Sequence, residues 1–173
     1  MDKKHENAHI RWMIRRDMPE IVDIEKLSFE FPWSEEDFTR RLLQRNVIGM
    51  VVENPEDEDE ILGYMIFALN KKSIEVLNFA VHPHDVRSGV GSAMINKLDG
   101  KLNQQRRTKI KFTVRETNYI AQKFLSSKGF KAIGVIRDLY DDSPEDAYEF
   151  VYDISPKAHD KHSHRFSGVA NDV

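Results

Sequence analysis

The residues best suited to chemistry lie in the segment 73–94, where an apolar strand leads into a turn that carries two glycines. Gly89 and Gly91 permit a tight turn and place no side chain over the amides that begin the next helix, which suits an anion such as a pyrophosphate. The run 75–81 strongly favours a strand and stops before Pro83, which cannot donate to a ladder. We predict that the strand holds an acyl thioester and that the turn holds its diphosphate.

Chain length and composition favour one globular domain. The 173 residues are 40% hydrophobic and 32% charged, which is enough for one core and leaves little for a second domain. The formal net charge of -3 and the pI near 6.2 give no overall basic field. We therefore expect no nucleic-acid partner.

Cysteine is absent, which excludes disulfides, thiolate metal sites and a cysteine nucleophile and is consistent with a reducing cytoplasm. His82 and His84 have no metal-ligand spacing to a second cluster, so we expect no metal. The start of the chain lacks the apolar region of a signal peptide, and no apolar run approaches the ~20 residues that span a bilayer. We therefore expect a soluble cytoplasmic protein with no membrane partner.

The elements around the glycine turn follow from residue periodicity and from capping residues. Four helices are predicted: one capped by Asp17, one opened by Ser34 with Asp37, one over 89–105 and one capped by Asn118. Strand-favouring runs bounded by turn residues predict seven strands, over 10–15, 47–53, 61–69, 73–81, 109–114, 132–137 and 148–154.

Three consecutive strands, 47–53, 61–69 and 73–81, can pair as an antiparallel meander. The acidic run 53–60 between the first two is interpreted as a solvated hairpin tip without a catalytic role. The strand, helix and strand over 73–114 should form a crossover unit with parallel strands. The expected fold class is α/β, with a mixed, mostly antiparallel central sheet flanked by helices.

Composition also predicts the ends of the domain. Residues 1–9 are polar and expected to form a flexible N-terminus, and residues 155–173 are expected to form a flexible C-terminal tail. The folded domain is predicted over 10–154.

The order of these elements resembles the GNAT superfamily of acetyl-CoA-dependent N-acetyltransferases over about residues 10–154. Four motifs in the same order are similar to the RimI-type ribosomal-protein N-terminal alanine acetyltransferases, and four together are more specific than any one alone. The resemblance implies a single domain that binds its cofactor at a splayed pair of strands. The motifs are Phe31-Pro32-Trp33-Ser34, Leu77-Asn78-Phe79-Ala80-Val81, Gly89-Val90-Gly91, and the helix that starts at Asn118 and ends at Gly129-Phe130.

The resemblance implies that acetyl-CoA is the acetyl donor. Backbone groups of Phe79, Ala80 and Val81 are expected to pair with the pantetheine amides as a neighbouring strand would, and Asn118 to bond the cofactor arm. Three residues before the first glycine the family usually has Gln or Arg; here Val86 lacks that polar contact, at a cost of about 1 kcal/mol. Main-chain amides of the turn are expected to hold the diphosphate: Arg87, Ser88, Gly89, Val90, Gly91 and Ser92.

The family's usual acid and base are replaced in this chain. RimI-type enzymes carry a glutamate base in the strand before the asparagine-capped helix and a tyrosine acid within that helix. The matched positions are Thr113 and Phe124, and neither side chain can perform those roles. The motif around Glu75 also resembles Gcn5-type lysine acetyltransferases, in which a glutamate at this place acts as base through water.

Glu75 and Tyr140 are therefore the candidate catalytic residues. Strand alternation places Glu75 on the face of Leu77, Phe79 and Val81, where it either enters the cleft or is an ordinary charged residue at the start of a strand. Tyr140 is the candidate acid, and a role as a buried or peptide-lining aromatic residue stays open.

Phe31, Pro32 and Trp33 are expected to line the acceptor groove, to act as a hydrophobic staple between two helices, or both. The expected reaction is acetyl transfer from acetyl-CoA to a primary amine, with a protein N-terminus as the first acceptor. A lysine side chain or a small amine is the enzymatic alternative, and a CoA-binding sensor without catalysis is the alternative of another class. The protein is expected to be a monomer or a homodimer.

Overall fold

A seven-stranded sheet is the centre of the computed structural model, which describes residues 8–156. The strand order is β1-β2-β3-β4-β5-β7-β6, and neighbouring strands are antiparallel except for the parallel pair β4 and β5. The predicted mixed, mostly antiparallel α/β sheet is confirmed. The strands are β1 (His9–Trp12), β2 (Val47–Asn54), β3 (Asp57–Leu69), β4 (Ser73–Val81), β5 (Lys109–Arg115), β6 (Lys131–Ile136) and β7 (Ala147–Asp153).

Helices cover both faces of the sheet, and their caps follow from the sequence. Ser34 Oγ accepts from the Asp37 amide at 3.2 Å and the Asp37 carboxylate accepts from the Ser34 amide at 2.9 Å, which confirms the predicted helix opening. Asn118 Oδ1 caps the last helix by accepting from the Ala121 amide at 3.1 Å. The helices are α1 (Met18–Ser28), α2 (Glu35–Leu42), α3 (Val90–Asp99) and α4 (Tyr119–Ser127).

Two hydrophobic cores lie on opposite faces of the sheet. In the α1–α2 core, Ile21 of α1 and Phe38 of α2 pack with Tyr64 of β3. In the α3–α4 core, Met94 of α3 and Leu125 of α4 pack against the other face. None of the helices within residues 8–156 is long and apolar enough to cross a membrane.

Several element boundaries differ from the predicted ones. β1 begins at His9, inside the segment predicted to be flexible, and α3 ends at Asp99 rather than near residue 105. β3 begins at Asp57, so part of the acidic run belongs to a strand, although residues 56–60 are all solvent-exposed. The rest of the predicted flexible N-terminus, up to residue 7, and the predicted tail beyond residue 156 lie outside the described residues.

Asp17 does not cap α1 with its side chain, contrary to the sequence prediction. Its buried carboxylate instead accepts two hydrogen bonds from the Arg11 guanidinium, at 2.7 and 2.8 Å, and one from the Ile14 amide at 2.8 Å. Burial raises the pKa of Asp17, but the hydrogen bonds from Arg11 and Ile14 and the positive charges of Arg11 and Arg16 outweigh it and hold that pKa below its ordinary value. The carboxylate thus ties β1 to the start of α1.

Replacing Asp17 by asparagine is expected to destabilise the fold at neutral pH by about 2–3 kcal/mol, because one partner of a largely buried pair is lost while Arg11 retains Glu53. The pKa of Asp17 is depressed in the folded state, so its contribution is present above the unfolded aspartate pKa of about 3.9 and is lost as pH falls through the folded value. Urea unfolding at pH 7 and at pH 3 measures the free energy of unfolding of both proteins. The difference between the wild type and Asp17→Asn should be smaller at pH 3. Asp23→Asn, at an exposed position of α1, the helix that follows Asp17, is the control, with a change in unfolding free energy within about 0.5 kcal/mol.

Candidate active site

A cleft opens in the sheet where β4 and β5 stop pairing. The two strands pair only over residues 73–76 of β4 and 109–112 of β5, and beyond this segment each continues without the other. The cleft between them has a volume of about 180 Å³. Its lining comes from α1, the α1–α2 loop, both strands, α4 and the β6–β7 loop: Glu25, Phe29, Phe31, Trp33, Val76, Leu77, Asn78, Phe79, Phe112, Thr113, Val114, Arg115, Asn118, Ala121, Phe124, Leu125 and Tyr140.

A β-bulge in β4 changes which side chains face the cleft. Asn78 lies opposite Ile66 of β3 whereas Val76 lies opposite Phe67, so Leu77 is an extra residue in the ladder. A bulge of this kind bends a strand and redirects the side chains that follow it. The bulge lies at the point where β4 leaves β5.

The bulge makes the predicted alternation of β4 wrong. Phe79 and Val81 pack on the α3–α4 core, whereas Leu77 packs on the α1–α2 core with the buried Ala80. Ile74 and Val76, on either side of Glu75, also belong to the α3–α4 core, so Glu75 points to the opposite face of the sheet. Glu75 thus does not share a face with Phe79 and Val81.

Glu75 lies in the paired part of β4, away from the cleft lining. Its backbone is opposite Ala68 of β3 and Lys111 of β5, and its carboxylate accepts a hydrogen bond of 3.4 Å from Asn70 Nδ2. The structure does not bring Glu75 together with the other predicted site residues, and its catalytic role stays a prediction.

The upper end of β4 offers an unpaired edge to the cleft. Phe79, Ala80 and Val81 pair with β3 on one side, and the other side has no strand partner among the described residues. An extended amide chain can add to such an edge as a further strand. The arrangement fits the pantetheine pairing predicted from the sequence.

The glycine turn follows directly and leads into α3. Arg87 and Gly89 adopt left-handed φ values of 70° and 98°, and a Cβ on Gly89 would meet nothing within 4 Å. Val90 and Gly91 are the first two residues of α3, so their amides have no partner within the helix. Amides at this position, aligned with the positive end of the helix dipole, suit a diphosphate. Val86 is exposed beside the turn.

Aromatic rings connect the turn to the floor of the cleft. Phe79 stacks on Phe124 of α4 with 6.0 Å between ring centroids, and a Cβ on Gly91 would lie 3.2 Å from Phe124 and 3.4 Å from Phe79. A Cβ at position 91 would therefore be in tight contact with Phe124, and a larger side chain would displace these rings. Asn118, at the start of α4, also lines the cleft beside Phe124.

The opposite end of the cleft is formed by the α1–α2 loop. Phe31 and Trp33 line both the cleft and a second groove on the surface beyond it, and Pro32 lies in that groove. Trp33 packs edge-on against Phe38 with 5.3 Å between ring centroids, so the aromatic loop is anchored in the α1–α2 core. The loop thus fits both predicted roles, a groove wall and a staple between helices.

Arg115, which sequence reasoning missed, joins this loop to the β6–β7 loop. Its guanidinium carbon lies 3.7 Å from the centroid of the Tyr140 ring and 4.9 Å from that of Phe31. Ion pairs to Asp142 at 2.7 Å and to Glu145 at 3.0 Å fix the guanidinium. Burial raises the pKa of Tyr140, against the positive charge of Arg115. The phenol is therefore held in its protonated, proton-donating form.

Glu25 is the second residue that sequence reasoning missed, and it is the one carboxylate among the described residues that line the cleft. It is only 1% exposed and accepts hydrogen bonds from the Trp33 amide at 2.7 Å, from Asn78 Nδ2 at 3.1 Å and from the Tyr64 hydroxyl. Burial raises its pKa, while the three donors oppose that shift. The available signal was a charged residue four positions after the buried Ile21, on the apolar face of α1.

Thr113 and Phe124 both line the cleft, so the two positions that match the family's acid and base do face it. Neither carries an ionisable group. His82 and His84, which precede the glycine turn in the chain, stack on each other with 5.3 Å between ring centroids. Within residues 8–156, no three side chains of metal-binding type come together.

Fold and cleft together define an α/β protein with an open cleft between two diverging strands. The sequence profile of the acetyltransferase (GNAT) family matches residues 18–130, and the chain belongs to that family. The protein is therefore an N-acetyltransferase.

Among curated relatives, the chain is 27% identical over 141 residues to the ribosomal protein bS18-alanine N-acetyltransferase of Escherichia coli K12, a match that covers 80% of this chain and 93% of the relative. The crystal structure of the E. coli ribosomal-protein-S18-alanine N-acetyltransferase is similar with a TM-score of 0.73 and 25% identity, over 86% of this chain and 94% of that one. Arabidopsis thaliana NAA60 in complex with acetyl-CoA shares the fold, with a TM-score of 0.71 and 15% identity over 86% and 99% of the two chains.

Proposed function

We propose that the protein transfers the acetyl group of acetyl-CoA to the α-amine of a protein N-terminus. The observation that carries the proposal is the unpaired edge of β4 at residues 79–81, which runs directly into the glycine turn at the start of α3. The relatives named for acetylation of an alanine of ribosomal protein bS18 support a peptide N-terminus as acceptor.

The cofactor site is proposed to consist mainly of backbone groups. Phe79, Ala80 and Val81 pair with the pantetheine arm, and Asn118 bonds it from the opposite wall. The diphosphate is held by amides of the turn, which is why Val86 can replace a polar residue with little loss of affinity. Acetyl-CoA supplies an activated acyl carbon and a thiolate leaving group. The turn residues concerned are Arg87, Gly89, Val90, Gly91 and Ser92, whereas the amide of the predicted residue Ser88 donates to the Asp85 carbonyl at 3.1 Å.

The acceptor enters from the side of Phe31, Pro32 and Trp33, which form the groove wall at the other end of the cleft. The α-amine must lose a proton before it attacks, and a free α-amino group has a pKa of about 7.7–8.0, so a large fraction is neutral near pH 8. An amide of the Phe79–Ala80 segment stabilises the oxyanion formed on attack.

Each acetyl transfer releases one proton overall. The ammonium loses one proton to water before attack, the new C–N bond forms, and the nitrogen loses a second proton, also to water, as the C–S bond breaks. The thiolate takes one proton, for which we propose Tyr140 as donor because its phenol lines the cleft with its ring fixed on Arg115. Tyr140 is reprotonated from solvent, and the ammonium and acetyl-CoA are converted into the acetylated amine, the free CoA thiol and one proton.

Thiol release from acetyl-CoA with a panel of acceptors tests the proposal. We expect turnover with a peptide that begins with alanine and at least tenfold lower kcat/KM with two controls, the same peptide with a blocked N-terminus and an internal lysine, and a polyamine. Turnover only with lysine or the polyamine would move the acceptor to that class. Binding of CoA without turnover on any amine would instead support a CoA-binding sensor.

A further inference from the structure

Asn78 is a polar residue of the cleft wall whose amide is held in one orientation. Its Nδ2 lies 3.1 Å from each oxygen of the Glu25 carboxylate. The reversed orientation would place a carbonyl oxygen against a carboxylate, which is repulsive, so the nitrogen must face Glu25. The remaining atom, Oδ1, has one long contact of 3.4 Å with the Tyr64 hydroxyl.

That contact leaves Asn78 Oδ1 with spare capacity to accept a hydrogen bond. The Tyr64 hydroxyl has one proton, and its shorter contact is with Glu25, so it gives little to Asn78. A carbonyl oxygen has two lone pairs. Asn78 is only partly buried and is one of the residues that line the cleft.

We propose that Asn78 Oδ1 binds the acceptor amine by accepting one of its N–H groups, and that Glu25 is the positioning residue that holds Asn78 and Trp33 for this contact. The inference rests on the proposed function and adds the side chain that orients the nucleophile. A primary amine fits the site because one of its N–H groups can donate to the carbonyl oxygen while its lone pair stays free for attack.

The position of Asn78 in the sheet supports this role. The bulge at Leu77 turns Asn78 toward α1, whereas the next residue, Phe79, lies in the unpaired edge beside which the acyl group is proposed to lie. Asn78 is thus adjacent in sequence to the cofactor edge and bonded through Glu25 to the aromatic loop at Trp33. One carboxylate therefore fixes the two sides between which the amine must be placed.

Steady-state kinetics of Asn78→Ala and Glu25→Gln test the proposal, with each substrate varied in turn. We expect Asn78→Ala to lower kcat/KM for the acceptor peptide by about 10- to 100-fold and to leave the KM for acetyl-CoA within about twofold. Glu25→Gln should also lower kcat/KM for the acceptor peptide. Its amide NH2 is a donor and would face another donor, either the Trp33 amide or Asn78 Nδ2. Glu20→Gln is the matched control: it lies on the same helix and accepts from the Ile61 amide at 2.8 Å but is outside the cleft.

The outcomes separate the inference from the proposed function. Unchanged acceptor kinetics in Asn78→Ala, or an equal loss for both substrates, would overturn the role of Asn78 while the wild-type activity stands. Absence of turnover by the wild type would overturn the proposed function and with it this inference. If Glu25→Gln does not fold, Asn78→Ala still decides, since it leaves Glu25 with donors from Trp33 and Tyr64.

Discussion

Tyr140→Phe is expected to lower kcat by about 100-fold and to leave the KM values for both substrates nearly unchanged. The substitution removes only the hydroxyl. The phenylalanine ring can still stack on Arg115, whose guanidinium carbon lies 3.7 Å from the Tyr140 ring centroid, so the loops that form the acceptor groove stay joined. A fall in kcat at constant KM is the signature of a group that acts in the transition state.

Tyr140→Ala separates the chemical role of the hydroxyl from the packing role of the ring. It removes the ring as well, which frees Arg115 from one of its two aromatic neighbours and loosens the contact with Phe31. We expect it to raise the acceptor KM in addition to lowering kcat. If Tyr140→Phe retains wild-type kcat, the proton for the leaving thiolate comes from elsewhere and Tyr140 is a packing residue only.

The pH dependence of kcat/KM for the acceptor is a second test of Tyr140 as the proton donor. Burial raises the pKa of Tyr140, so the phenol stays protonated throughout the range in which the acceptor amine becomes neutral. The profile should rise toward the amine pKa of about 8 and show no alkaline loss from this tyrosine until well above it.

The sequence predicted most features that depend on neighbours within a few residues. The capping pair Ser34 and Asp37, the cap at Asn118 and the bounds of β4 are each set by short-range hydrogen bonds or by adjacent turn residues. The glycine turn belongs to the same class, because the left-handed φ of Gly89 is a local property. These features were accessible from residue types and spacing alone.

The bulge in β4 was not accessible in this way. It arises from the pairing of β4 with β3, where the partner of Ile66 is Asn78 and that of Phe67 is Val76. Nothing in the run of residues 73–81 marks an extra residue, so simple alternation grouped Glu75 with Phe79 and Val81 as well as with Leu77. Glu75 lies before the bulge, in the part of β4 that pairs with β5, and Phe79 and Val81 lie beyond it.

The contacts of Glu25 and Arg115 could not be predicted from the sequence either. The donors to Glu25 come from the α1–α2 loop, β3 and β4, up to 53 positions away in the chain, and the partners of Arg115 come from two different loops. Such contacts exist only once the sheet has brought the elements together. The sequence marks Glu25 as a charge on an apolar helix face, but only the fold identifies what it binds.

The crowding around Gly91 leads to the other large expected effect. A Cβ at this position would lie 3.2 Å from the Phe124 ring, which would have to shift slightly, and 3.4 Å from the Phe79 ring, and a longer side chain would overlap both rings. Gly91→Leu must therefore displace the rings into the cleft or move the first turn of α3 away from β4. Overpacking of this kind costs about 1–3 kcal/mol.

We expect Gly91→Leu to weaken acetyl-CoA binding by about 10- to 100-fold, since either displacement disrupts the pantetheine edge or the diphosphate amides and 1.4 kcal/mol corresponds to about tenfold in affinity. Titration calorimetry with CoA measures the effect. Gly91→Ala, which adds only the Cβ, should give an intermediate loss. Gly100→Ala at the far end of α3 is the control, because its nearest contact would be an ordinary 3.6 Å. If Gly91→Leu binds CoA with wild-type affinity, the cofactor lies outside this cleft. A ligand held between β4 and the first turn of α3 would lose affinity on that change.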